Sequence, residues 1–456
     1  MFTTISDRMQ ALERLNALRD DYESEYDALQ VIDGWWRWKP QRPLVKDVNR
    51  ERMTLTKLGE TPWLRMVVTT LAQTLYLDGV EFPDDVDNIK SRRMWQPWNR
   101  NRMGARQIPL HQSAIAYGCA YASVHVDDYG EAVIDCWSPM ESFAVYNDAA
   151  RDIWPQLFLT RCELGDDRIA WSLWDAYNVW RFEAPANGGE MAWIDVAAHG
   201  VVDAHGEPVC PVVRYANQID LQGRTPGEIK PYIRLAERLN KDNADRLLAQ
   251  HYNSWKVRTV TGLDLSGLSE NEKEAKKLEL RQDSMLFGAD GVQFGTLPET
   301  DLNNMVAAKQ SDVDELAAVS QTPATAFGKM VNVGDAGIEE SRAGFYAKRN
   351  ERRKTFGVSH MDLLRLCASA EGRMDDAANM SLTPVWADTD TRTISQAVDA
   401  YGKAAQMLNV PKQCLWDKIP GVTKTEADTW REYAEAHPDP DMLAARMYEE
   451  QLQPVG

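Results

Sequence analysis

Residues 320–353 read SQTPATAFGKMVNVGDAGIEESRAGFYAKRNERR. Pro323 stops any helix that reaches it, and Gly328, Gly334 and Gly337 break regularity after it, so 321–337 reads as an exposed loop. The spacing then predicts a long helix over 338–370. It carries Arg342, Lys348, Arg349, Arg352, Arg353 and Lys354 against Glu351, in a chain that is otherwise acidic. That is a local reversal of charge.

Upstream, 301–320 reads as a helix with Leu302, Met305, Val306, Val313 and Leu316 along one side and Lys309, Asp312 and Asp314 around it. A similar helix is expected over 226–252, with Thr225 as N-cap and Pro226 in the first helical position. Its seam is Ile229, Ile233, Ala236 and Leu239, resumed at Leu247 and Leu248 beyond the polar Lys241, Asp242 and Asn243. Both stripes are too narrow for burial on all sides. Between the helices, WKVRTVTGLDL from Trp255 and SMLFGADGVQFGTLP from Ser284 read as short strands, with a charged helical segment over 269–281.

The rest of the chain can be taken in order. A capped amphipathic helix over 6–28 leads into GWWRWKPQRP (34–43), an aromatic loop read as core or interface packing. Residues 63–76 form a helix with a broad apolar face, and 101–117 a further helix. Strands at 120–126 and 132–137 flank the turn Asp127-Asp128-Tyr129-Gly130, a hairpin signal. Four short runs from Gln156 onward, QLFLTRCEL, RIAWSLWD, NVWRFE and MAWIDV, make an antiparallel meander, and 208–217 reads as an edge strand because of its prolines. SLTPVWADTDTR (381–392) holds one more strand. Helices at 394–408, 411–418, 425–436 and 439–452 complete the chain.

At 456 residues there is room for several domains and a sizeable core, without disulfide or metal staples. A net charge of −18 argues against nonspecific clamping of DNA by the whole surface, though not against a path along which DNA slides. The six cysteines (119, 136, 162, 210, 367 and 414) are scattered without C-x-x-C, which favours reduced thiols in a cytoplasmic setting. The N-terminus is no secretory signal, and the apolar run 63–77 is broken by Arg65 and too short to span a membrane.

Motifs for catalysis are missing. Gly328-Lys329 lacks the earlier glycine and the following hydroxyl of a phosphate loop, and there is no G-x-G-x-x-G or G-x-S-x-G. The histidines show no ligand spacing, and His111 and His360 are read as helix-surface or core-edge residues. Asp388 and Asp390 could suggest a metal, but a loop capping the next helix through Asp390 or Thr391 is the preferred reading. No catalytic residue, metal or cofactor is expected, and the chain reads as a non-enzyme.

The order of elements nevertheless resembles the portal proteins of tailed bacteriophages, of the siphophage type, along most of the chain. The residues that carry the resemblance are AYGCAYASVHVDDYGEAVIDCWSP, GEPVCPVVRYANQ, RLNKDNADRL, SQTPATAFG, GIEESRAGFYAKRNERR and VWADTDTRT, in that order. It implies an α+β subunit: a wing of helices and antiparallel sheet (1–225) and stem helices (226–252 and 301–320) around a β-rich clip (253–300). A tunnel loop (321–337), a long tunnel helix (338–372), a wing return strand (373–390) and a helical crown (391–456) would follow. It further implies a ring of twelve subunits at a capsid vertex of the virion, assembled in the host cytoplasm. Double-stranded DNA would pass through it during packaging and ejection. The implied partners are the large terminase, the head-tail adaptor and the major capsid and scaffolding proteins, with no membrane.

Within that frame Lys329 and Asn332 are candidates for transient phosphate contact, and Arg342, Arg349, Arg352 and Arg353 for charge contacts with an adjoining subunit. The alternatives are another structural protein of the virion head and tail, or a metal-dependent nucleic-acid-processing enzyme using Asp388 and Asp390.

Overall fold

The computed structural model describes residues 5–39, 50–83, 85, 88–187, 189–254, 258–261, 293–296, 301–328, 335–389, 394–422 and 424–437. The chain divides into two units, Met1–Trp386 and Ala387–Gly456.

In the first unit, helix α1 (Arg8–Trp36) is capped by Asp7, whose carboxylate accepts from the N–H groups of Met9 and Gln10. It runs past the expected end at 28, because Leu29, Ile32 and Trp35 continue the buried stripe of Leu15, Leu18 and Tyr22. Trp35 and Trp36 thus belong to a helix rather than a loop. There follow α2 (Arg50–Gly59), α3 (Trp63–Ala72), strand β1 (Leu77–Glu81), α4 (Ile89–Arg100) and α5 (Met103–Tyr117). Pro97 lies inside α4, which hid that helix from a reading that treats proline as a boundary.

Strands β2 (Cys119–Val126) and β3 (Ala132–Trp137) form the expected hairpin, in register from Tyr121 opposite Trp137 to Val126 opposite Ala132. The meander is five-stranded: β4 (Ser142–Val145), β5 (Leu157–Leu164), β6 (Arg168–Trp174), β7 (Asn178–Pro185) and β8 (Ala192–Ala198) pair in sequence order. One face of this sheet buries Leu159, Trp171, Leu173 and Phe182 together with Leu15 and Tyr22 of α1. Strand β9 (Val212–Ala216) returns to β2 and is an edge, as its prolines require.

The next helix, α6 (Ile233–Ser254), starts later than expected and follows a 3-10 turn at Lys230–Tyr232. The physical reason is a backbone crossing. A Cβ on Gly118 would lie 1.9 Å from the Thr225 carbonyl oxygen, and the Glu228 N–H donates to the Ile115 carbonyl at 2.8 Å. Residues 225–228 are therefore held against the end of α5 and cannot be helical. Pro231, not Pro226, sits at the helix start.

Strands β10 (Arg258–Thr261) and β11 (Gln293–Thr296) pair antiparallel. The helical segment expected over 269–281 lies outside the described residues. Helix α7 (Leu302–Val319) has Asp301 as N-cap, α8 runs Asp335–Ala370, and a single turn α9 (Met374–Ala377) precedes β12 (Thr383–Trp386), which pairs with β1. Every pairing of named strands is antiparallel. The main core draws on α1, α3, α4, α5, β2, β9 and α8, including Trp98, Met103, Tyr215, Phe356 and Leu364.

The second unit contains α10 (Ile394–Met407), 3-10 turns at Lys412–Cys414 and Trp416–Lys418, and α11 (Lys424–Ala436). The helix expected at 439–452 lies outside the described residues, as does the proposed cap at Asp390 or Thr391. Among the described residues no helix is long and apolar enough to cross a membrane.

Candidate functional site: the root of the helix pair

Helices α6 and α7 run antiparallel. The Tyr232 hydroxyl, just before α6, donates to the Val319 carbonyl at the end of α7, while Arg238 reaches back to Asp312 at 2.9 Å and also to Glu315. Their seam is Ala236 and Leu239 against Val313, Leu316 and Ala317, all buried. The part of each stripe nearest the body is therefore the part that packs, whereas Val306, read as part of the same stripe, is exposed. Asp242 lies beside Asp312, and burial together with a hydrogen bond to that carboxyl raises its pKa.

The pair is rooted in a buried charged cluster. Glu228 accepts from Lys348 Nζ at 2.7 Å and from Arg352 Nη2 at 3.0 Å. Lys348 also donates to the Ser320 carbonyl at 2.9 Å, at the negative end of α7. Arg352 Nε donates to Asn217 Oδ1 at 2.7 Å, and Asn217 Nδ2 donates to the Pro226 carbonyl at 2.9 Å. One carboxylate thus joins the segment before α6, the end of α7, the end of β9 and α8. Two cations share it, and Glu351 Oε1, 3.1 Å from Arg352 Nη1, offsets the excess. Burial is the larger influence on Lys348 and lowers its pKa, against the opposing pull of Glu228.

Of the four arginines read as contacts to an adjoining subunit, Arg352 has no exposed surface left for one. Its Nε and Nη2 bond to Asn217 and Glu228 inside the chain, and its full burial corrects that expectation for this residue. Arg349 is buried with its guanidinium over Tyr346, 4.7 Å from the ring centroid. Arg353 donates from Nε and Nη2 to the Thr74 carbonyl and lies over Trp386. Arg342 is half-buried. The loop after Pro323 begins as a 3-10 turn, Ala324–Phe327, whose Phe327 ring meets Trp63 at 6.1 Å. Lys329 and Asn332 lie outside the described residues.

Sequence reading missed a second buried group. His111 on α5 and His360 on α8 are fully buried with their Nε2 atoms 2.9 Å apart, and the Tyr215 hydroxyl is 2.9 Å from His360 Nδ1. They are core residues, not the helix-surface or core-edge residues expected. No spacing signal could have paired positions so far apart in sequence.

The arrangement ties four segments of the chain together through one carboxylate. All six cysteines are free, and Cys119, Cys210 and Cys367 are buried. Among the described residues no group of three or more His, Cys, Asp or Glu side chains could hold a metal. Asp388 is exposed, and Asp390 lies outside the described residues.

Comparison with known proteins follows from this geometry. A family model described as phage portal protein, SPP1 Gp6-like, matches residues 3–437. Among solved structures the chain is similar to one titled "Neck of empty GTA particle computed with C6 symmetry", at 13% identity and a TM-score of 0.44, covering 80% of this chain and 94% of that one. A search of the curated proteins finds no match. The match spans nearly the whole chain, and the protein belongs to the phage portal protein family, SPP1 Gp6-like.

Proposed function

We propose that the protein closes into a ring of twelve subunits at one vertex of the capsid and forms the channel through which double-stranded DNA is packaged and later ejected. The family match over residues 3–437 carries this reading. In it, 1–225 with 373–390 is the wing, α6 and α7 are the stem, 253–300 is the clip, 321–337 is the tunnel loop and 391–456 is the crown. The clip receives the large terminase during packaging and the head-tail adaptor afterwards, and the wing meets the major capsid and scaffolding proteins. The ring assembles in the host cytoplasm and hydrolyses nothing itself.

The buried cluster suits this role, because it fixes the angle at which the stem leaves the body and the place where the tunnel loop begins. The acidic balance of −18 per subunit suits it too: a channel lined by many cations would retain a polyanion, whereas an acidic one lets it slide. Lys329 and Asn332 are assigned to transient phosphate contact, and Arg342, Arg349 and Arg353 to the border with the next subunit.

The test is the native mass of the purified protein, with images of the same sample. Rings near twelve subunits with a central channel are expected. A monomer that persists across salt concentrations and in the presence of scaffolding protein would overturn the reading.

A further inference from the structure

A groove of about 720 Å³ lies where β12 passes across α8. Gly357 permits the approach, since a Cβ there would meet the Pro384 ring at 3.1 Å. Leu382, Pro384 and Trp386, at alternate positions of the strand and its approach, give the groove an apolar floor. Val358 and Met380 on its walls are 61% and 66% exposed. Its charged lining among the described residues is Arg353, Lys354 and Arg365, with no carboxylate. Arg353 is steadied by Thr74 and Trp386, Arg365 pairs with Asp362 at 2.6 Å, and Lys354 stands exposed. A cationic, apolar groove on a chain of net charge −18 runs against the average of its own surface.

The outer face of α1 is its complement. From Asp20 to Asp33 that helix holds Asp20, Asp21, Glu23, Glu25, Asp27 and Asp33 and no lysine or arginine. Ala17, Asp20, Ser24, Asp27 and Val31 recur at alternating spacings of three and four and are all exposed. They make one stripe of small, acidic and apolar side chains, which is what a narrow groove with cationic walls admits. The inner face of α1 is already spent on the meander and α5.

We propose that the acidic outer face of α1 of one copy docks in the α8–β12 groove of the next copy. This rests on the ring reading above and names the surfaces that meet. Groove and stripe are different patches of one chain, so every copy offers both, and the contact repeats head to tail until it closes.

The experiment is charge reversal in the full chain, read by native mass and by carbodiimide cross-linking of mixed isotope-labelled and unlabelled subunits. Lys354→Glu alone, or Asp20→Lys with Asp27→Lys, is expected to lower the ring fraction by about tenfold, since like charges then face each other across the contact. The combined variant is expected to regain it. The wild-type ring should yield an inter-subunit cross-link from Lys354 to Asp20 or Asp27. All three side chains are exposed, so circular dichroism of each variant should match the wild type. Wild-type rings that are indifferent to these reversals would overturn the docking and leave the ring reading intact. Loss on Lys354→Glu without rescue from α1 would assign the groove to a different acidic partner, and so overturn it as well. A wild-type chain that forms no ring removes the reading beneath it, an outcome recognised before any variant is made.

Discussion

The most informative single residues are His111 and His360, because their chemistry follows from burial alone. His111 Nε2 lies 2.9 Å from His360 Nε2, and His360 Nδ1 lies 2.9 Å from the Tyr215 hydroxyl, so the three side chains form one relay that can run in either direction, with one proton on each ring. Both rings are neutral in this arrangement. Burial lowers the His111 pKa from 6.5 to about 3 and puts that of His360 well below the ordinary range. Below pH 6.5 the unfolded chain therefore binds protons that the folded chain refuses. The contribution is complete above that pH and is lost as pH falls, for His111 towards about 3, and the downward shift of His360 acts in the same direction. Urea unfolding across that window, in the wild type and in a His111→Leu, His360→Phe, Tyr215→Phe variant, should show a shallower slope in the variant. Carboxylates are common to both proteins and cancel. A slope unchanged by the triple substitution would mean that the pair protonates in the folded state.

Between elements, the decisive feature is the Glu228 cluster, since it ties together four pieces of chain that share no strand pairing. Removing one member of a buried ion pair leaves an uncompensated charge and costs about 3–5 kcal/mol, much more than an exposed pair is worth. Glu228→Met, which leaves the buried Lys348 and Arg352 without the carboxylate they share, should lower stability by that amount in denaturant unfolding. Arg238→Met, at the exposed bridge of the helix pair, should cost much less, because solvent screens that pair. Equal losses would show that the cluster is not the root of the stem. How legible these elements were depended on locality. The β2–β3 hairpin, the meander and α7 follow from turn residues and periodicity within a few neighbours, and all were readable. The start of α6 was not, because Thr225 and Pro226 form a sound helix signal that a distant crossing at Gly118 overrides. Strand β1 was invisible for a similar reason: its partner β12 lies at the other end of the unit. The charge run on α8 was visible, but sequence cannot tell an arginine that faces out from one, like Arg352, that is enclosed.

For the whole molecule, the division at Trp386 separates unequal cores. The first unit buries large side chains from α1 through to Leu382, enough to fold without the second. In the second, the buried apolar residues among those described are Ala397 and Ala427, whereas Ile394, Met407, Leu408 and Tyr433 are 61%, 78%, 74% and 66% exposed. Among the described residues of that unit, so little enclosed apolar surface contributes little stability, since apolar burial is worth only about 25 cal/mol per Å². These exposed apolar side chains are what a ring of identical neighbours would cover, and the resemblance read in the sequence assigned 391–456 to a crown without revealing this exposure. A chain ending at Trp386 should therefore unfold cooperatively at the same denaturant midpoint as the monomeric full chain. Residues 387–456 expressed alone should show no sharp transition. In assembled protein the full chain should gain stability with concentration while the shortened chain gains less, because association stabilises only what it covers. A shortened chain that loses its cooperative transition would show that the first unit depends on the second, and Met1–Trp386 and Ala387–Gly456 would then have to be treated as one folding unit.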